Sequence, residues 1–185
     1  PVEGTTNYVT APADAEIVEI GRFPQDKAVR YDRSITVPDY RMVLMHSCAF
    51  FTIFIHLAEL APEIKKQTGP IGLGEQWFST RNGPISVKAG DPLAEVSGTG
   101  LDWSVHDADV ILPGFIIPEH YIGEPWKVHS VDPFQYYEEP LKSELLSKAV
   151  RQVEPRSGKI DYDVEGTILG NWFLEGTNDF DGSPD

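Results

Sequence analysis

The sequence predicts a mostly β fold, an antiparallel sandwich or partly open barrel with one or two short helices. Three observations lead there. Short runs rich in β-branched and aromatic residues recur between Gly, Pro, Asp and Asn turns along most of the chain, and many short strands at that spacing pack into sandwiches or barrels. Helical periodicity is confined to two stretches, 57–66 and 140–150. A chain of 185 residues with 41% hydrophobic content is large enough to bury a core without disulfide staples.

The elements follow in order. Residues 8–10 end at the turn Ala11-Pro12-Ala13-Asp14, 16–20 stop at Gly21, and 33–37 stop at Pro38. Residues 41–45 and 50–56 are the next two strands. Gly83-Pro84 leads into 85–87, the turn Lys88-Ala89-Gly90-Asp91-Pro92 follows, and 93–96 is another strand. In 101–105 apolar and polar residues alternate, which gives that strand one core-facing side. In 140–150, Leu141, Leu145, Leu146 and Val150 fall at helical spacing behind Pro140. That predicts a short helix burying its leucines. The turn-rich Glu154-Pro155-Arg156-Ser157-Gly158 marks a joint. Residues 1–153 then form the β domain with a C-terminal extension. Residues 154–185 form a short hairpin, with strands over 159–164 and 170–174, or open a second module.

Charge removes one class of partner. Twenty-nine acidic against fifteen basic residues give a net charge of -14, and nucleic-acid binding depends on Lys and Arg neutralising phosphates. No run approaches the roughly 18 apolar residues of a membrane helix, so no span is expected. The single cysteine, Cys48, excludes an internal disulfide and a Cys-x-x-Cys metal knuckle. The chain opens at Pro1 without a basic-then-apolar leader, the expectation for a processed or trimmed product.

Two segments carry a family likeness. Phe50-Phe51-Thr52-Ile53-Phe54-Ile55-His56-Leu57 is an aromatic strand ending in His-Leu. Ile85-Ser86-Val87-Lys88-Ala89-Gly90-Asp91-Pro92-Leu93 followed by Gly98-Thr99-Gly100-Leu101-Asp102-Trp103-Ser104-Val105 supplies a Val-x-x-Gly-Asp turn and a closing strand. Over roughly residues 8–110 the chain resembles the lysostaphin-like zinc endopeptidases. The resemblance implies their β fold and makes His56 the candidate catalytic residue. In that family a His and an Asp of an N-terminal His-x-x-x-Asp, and the second His of a His-x-His, hold zinc with a water in the open position. Here no His precedes residue 46, no His-x-His occurs, Gly100 stands at a catalytic His position, and Asp102 stands at the zinc-binding His.

The expectation is therefore a peptidase-like module that no longer hydrolyses peptides and needs no cofactor. It would serve outside the cytoplasm and bind a cell-wall or surface glycan, a peptide or a protein partner. Asp102, Trp103, Trp77 and Phe78 are the candidate binding residues, the last two on an exposed aromatic loop behind the Gly69–Gly74 stretch. In such a site Asp102 should accept hydrogen bonds from its neighbours. The alternatives are a zinc peptidase using His56, Asp102 and His106, and a subunit of a surface assembly that pairs through edge strands as a homo-oligomer. His106 with Asp109, and His129 with Asp132, also have spacings that metal loops use. The oxygen-rich run through Asp179 and Asp181 resembles a calcium loop without its regular acidic spacing.

Overall fold

The computed structural model describes residues 8–28, 36–96, 100–178 and 183–184. The protein is mostly β, and the chain divides into two compact units, Pro1–Trp103 and Ser104–Asp185. The expected joint near Glu154 thus lies inside the second unit. Asp179 and Asp181, residues 33–35 and 97–99 fall outside the described residues.

The first unit is a curled antiparallel half-barrel, the partly open barrel that the strand spacing predicts. Its strands are β1 (Tyr8–Thr10), β2 (Ala15–Arg22), the small pair β3 (Lys27–Ala28) and β4 (Thr36–Val37), β5 (Tyr40–Met45), β6 (Phe50–Leu60), β7 (Gln76–Phe78), β8 (Ile85–Val87) and β9 (Pro92–Val96). In the sheet β1, β9, β6, β5 and β2 are consecutive neighbours, and β7 and β8 both pair with β2. In β5 the period of two is clean: Tyr40, Met42 and Leu44 are buried, with Arg41 and Val43 less so. β2 and β6 break that period with extra residues. Ile17 and Ile20 lie three apart yet are both fully buried, because the pairing of β2 with β5 shifts between Ile17 and Glu19. A bulge of this kind inserts one residue and returns the next apolar side chain to the core face.

Helix α1 (Pro62–Thr68) begins later than the predicted 57–66. Leu57 and Leu60 pair with Val96 and Ala94 of β9, so the ladder claims them. Pro62, with no N–H to donate, then opens the helix. A second correction concerns Trp77 and Phe78, which form strand β7 and no exposed loop. Trp77 is a buried member of the core with Ile20 and Ile71, since its alternate position on β7 faces inward beside β2. One short helix, α2 (Ser79–Asn82), links β7 to β8.

Strand β10 (Asp102–Asp107) runs into the second unit, where Val105 and His106 pair with Val131 and Ser130 of β11 (Ser130–Val131). Three short 3-10 turns, Pro118–Tyr121, Pro125–His129 and Pro133–Tyr136, each start at a proline. Helix α3 (Leu141–Lys148) confirms the predicted helix but buries none of its residues. Leu141 is exposed, and Leu145 and Leu146 are half-buried. The expected strands over 159–164 and 170–174 do not form. Carboxylates take the place of the ladder there. Buried Asp161 accepts from the Gly114 N–H and the Lys159 ammonium. Asp163 accepts from the N–H of Ile116 and of Asn171, and from the Asn171 amide. The only ladder in this region is the small pair β12 (Thr177–Asn178) and β13 (Ser183–Pro184) among the described residues. The apolar centre is an aromatic cluster in which the Tyr121 ring packs tilted against Phe115 at 4.9 Å and edge to face against Phe173 at 5.3 Å. Desolvation pushes the Tyr121 phenol up to about 12.

Candidate functional site

The site in the first unit is built around an irregularity of β6. Arg41 pairs with Ile55 and Tyr40 with Leu57, so His56 is the extra residue of a bulge. Its φ of 70° is the only positive value of a non-glycine among the described residues. A branched-ring residue in that region costs of order 1–3 kcal/mol and persists where its surroundings over-determine it. The bulge has two effects. It keeps Phe54 and Leu57, three apart, on the core face, and it turns the His56 imidazole out of the sheet alternation.

Asp39 fixes that imidazole. Its residue lies just before β5, its main-chain oxygen accepts from the Phe23 N–H, and its carboxylate is nearly buried. The His56 Nδ1 lies 3.1 Å from both carboxylate oxygens. A carboxylate only accepts, so Nδ1 carries a proton and donates to Asp39, which leaves Nε2 as the outer nitrogen of the ring. That atom faces Asp102, whose Oδ2 is 3.7 Å away, beyond hydrogen-bonding range. Both atoms can meet a ligand hydroxyl or ammonium that approaches them from the solvent side. The Phe23 ring, 6.3 Å from the imidazole, adds an apolar wall.

Asp102 is not the hydrogen-bonded carboxylate expected from the sequence: its side chain is 72% exposed, and a carboxylate solvated by water needs no protein donor. Asp102 is the first residue of β10. Trp103, next along, is half-buried against the core of the first unit. Phe78 is half-buried at the end of β7, with the Arg81 guanidinium 6.0 Å above its ring. Of the predicted set the structure therefore brings His56 and Asp102 together and adds Asp39, which sequence reasoning missed. An acidic residue placed next to a strand start, opposite a histidine strand, was the available signal, since Asp is seldom buried without a partner.

His106 belongs to the second unit and is buried there. Its Nδ1 donates to the Trp126 carbonyl at 2.8 Å, and its Nε2 accepts from the Ser104 hydroxyl at 2.8 Å. Both nitrogens are spent on structure. The neighbouring loops are spent likewise: His129 donates to the Val110 carbonyl, Asp107 caps Asp109, and Asp132 accepts from the N–H of Phe134 and of Arg156. A catalytic zinc needs three protein donors. His56 and Asp102 provide two, and no group of three His, Cys, Asp or Glu is arranged for a metal ion among the described residues. Among the described residues the donor set does not fit zinc. No helix among the described residues is long and apolar enough to cross a membrane.

The fold and site define a curled, half-barrel β protein with a carboxylate-anchored histidine. In comparison with known proteins, no family model, curated protein or solved structure matches the chain.

Proposed function

We propose that the first unit is a non-catalytic, peptidase-like module of the lysostaphin-like type that binds a glycan, peptide or protein partner outside the cytoplasm. The observation that carries this reading is the Asp39–His56–Asp102 arrangement. A buried carboxylate sets the tautomer of a histidine held in a strained bulge, and its outer nitrogen faces an exposed carboxylate. Strain is retained at positions with a role, and an exposed carboxylate beside an imidazole nitrogen suits a partner rich in donors, such as sugar hydroxyls or a peptide amine. The half-barrel and the two quoted motifs support the peptidase-like frame, and a fold of that kind separates readily from its chemistry.

The test is calorimetric titration of the protein with chito-oligosaccharides and with oligoglycine, alongside assays for their cleavage. Binding without cleavage, weakened at least about tenfold by His56→Ala and by Asp102→Ala, is the expected result. Cleavage that requires about one zinc per chain, with the metal lost in Asp102→Ala, would replace this reading with the altered-ligand peptidase.

A further inference from the structure

The second unit keeps apolar side chains in water that its own fold has ordered. Ile168 is 86% exposed and Trp172 is 69% exposed, with Leu169, Leu174, Ile116 and Ile117 also exposed. These are not loose ends. The Trp172 indole donates to the Ile168 carbonyl, the turn closes by Val164 N–H to Leu169 C=O, and the Asp163 carboxylate pins Asn171 and Ile116 from either side. Phe173 and His120, 4.9 Å apart and edge to face, form the floor. The result is a groove with a volume of about 650 Å³. A pre-ordered apolar surface of this kind marks a place where another molecule sits.

Charge selects the occupant. The groove's charged lining residues are Asp163 and Glu165, with no Lys or Arg among the described residues that line it, and residues 104–185 carry sixteen acidic against six basic side chains. A second copy of the chain would bring acid against acid across a two-fold axis, which costs affinity. An anionic lipid surface meets the same repulsion. A segment combining apolar residues with Lys or Arg satisfies both the wall and the rim. We propose that this groove docks a cationic, apolar-faced peptide segment of a partner protein, a site separate from the histidine site of the first unit.

The probe is a synthetic amphipathic helix with one leucine face and one lysine face, titrated into the full chain and followed by backbone and indole NMR shifts. Controls are the same peptide with glutamate for lysine, and vesicles of anionic lipid. The expected result is binding of the lysine peptide alone, with shifts centred on Ile116, Ile168 and Trp172. Ile168→Lys and Glu165→Lys should each weaken it at least about tenfold, while Glu138→Lys, outside the groove, changes it less than about twofold. Salt should weaken the wild-type complex. Four results overturn the proposal: no binding of the lysine peptide, equal loss in Glu138→Lys, preference for vesicles, or self-association of the free chain abolished by Ile168→Lys. Ile168 and Glu165 are exposed, and unchanged shifts of Gly114, Tyr121 and His106 in the same unit will verify that each variant keeps its fold.

Discussion

The two units solve the problem of satisfying backbone groups in opposite ways. In the first, ladder bonds between long strands do the work, and Ile17, Met42, Leu44, Leu57 and Leu93 close a core that excludes water. In the second, proline-started turns and short strands leave many N–H groups to side chains, and buried Asp132 and Asp161, with half-buried Asp163, accept them. A ladder tolerates substitution of surface residues, because its bonds are main-chain. A carboxylate-pinned loop depends on single side chains and on their charge. The first unit should therefore fail by loss of packing, and the second by loss of individual acceptors.

The largest expected effect is in the first unit. Leu44 is fully buried between Ile17 on β2 and Thr52 on β6, and Leu44→Ala should destabilise it by about 2–5 kcal/mol in a denaturant titration. Survival with less than about 1 kcal/mol of loss would show that the sheet's core is loosely packed. The second unit has its own weak point at Gly158. Its φ is +77°, and an added Cβ would stand 2.3 Å from the Val131 carbonyl and 2.6 Å from the Asp132 nitrogen. Gly158→Ala should cost about 2 kcal/mol or more, with hydrogen exchange rising around Asp132 and Arg156 while β5 and β6 stay protected.

The strand pattern made most of the first unit legible. Turn residues bracket 8–10, 41–45, 85–87 and 93–96, and the observed strands begin or end within a few residues of each. His56 was legible as a candidate, but its bulge was not, because a one-residue insertion leaves no mark in a run with as little apolar–polar alternation as Phe50–Leu57. Asp39 was missed since its role exists only once β5 and β6 pair. The second unit misled for a physical reason. Residues 159–164 alternate like a strand, yet their alternate positions hold Asp161 and Asp163, whose oxygens bind main-chain N–H groups in place of a neighbouring strand. Leucine spacing likewise located α3, while the apolar face it implies stays partly in water.

Acid sharpens the contrast. Burial pushes the Asp163 carboxyl up, but hydrogen bonds from Asn171 and Ile116 outweigh it and hold the group below the usual aspartate range. With the folded value depressed, its contribution is present above the unfolded value near about 4 and is lost as the pH falls through the folded value. The Trp172 indole signal, tied to Ile168 beside this network, should broaden or shift on going from about pH 6 to about pH 2 before the β5 and β6 amides do. Simultaneous loss of both would mean the units unfold together. The smallest effect is expected in α3, where half-buried Leu145 leaves Leu145→Ala a cost of about 1 kcal/mol, below the range of a fully buried leucine.

The histidine site sits at one of the points where the ladder of the first unit departs from its own regularity, and its imidazole reports directly on that departure. The decisive measurement is titration of protein labelled with nitrogen-15 at histidine, following the two His56 ring nitrogens as chito-oligosaccharide or oligoglycine is added. A proton on Nδ1 in the free protein, a ligand-induced shift at Nε2, and loss of both in Asp39→Ala and of the second in Asp102→Ala are the predicted results. A proton resting on Nε2, or ring signals that ignore every ligand while binding is seen elsewhere on the chain, would contradict the assignment of His56 and Asp102 as the binding site.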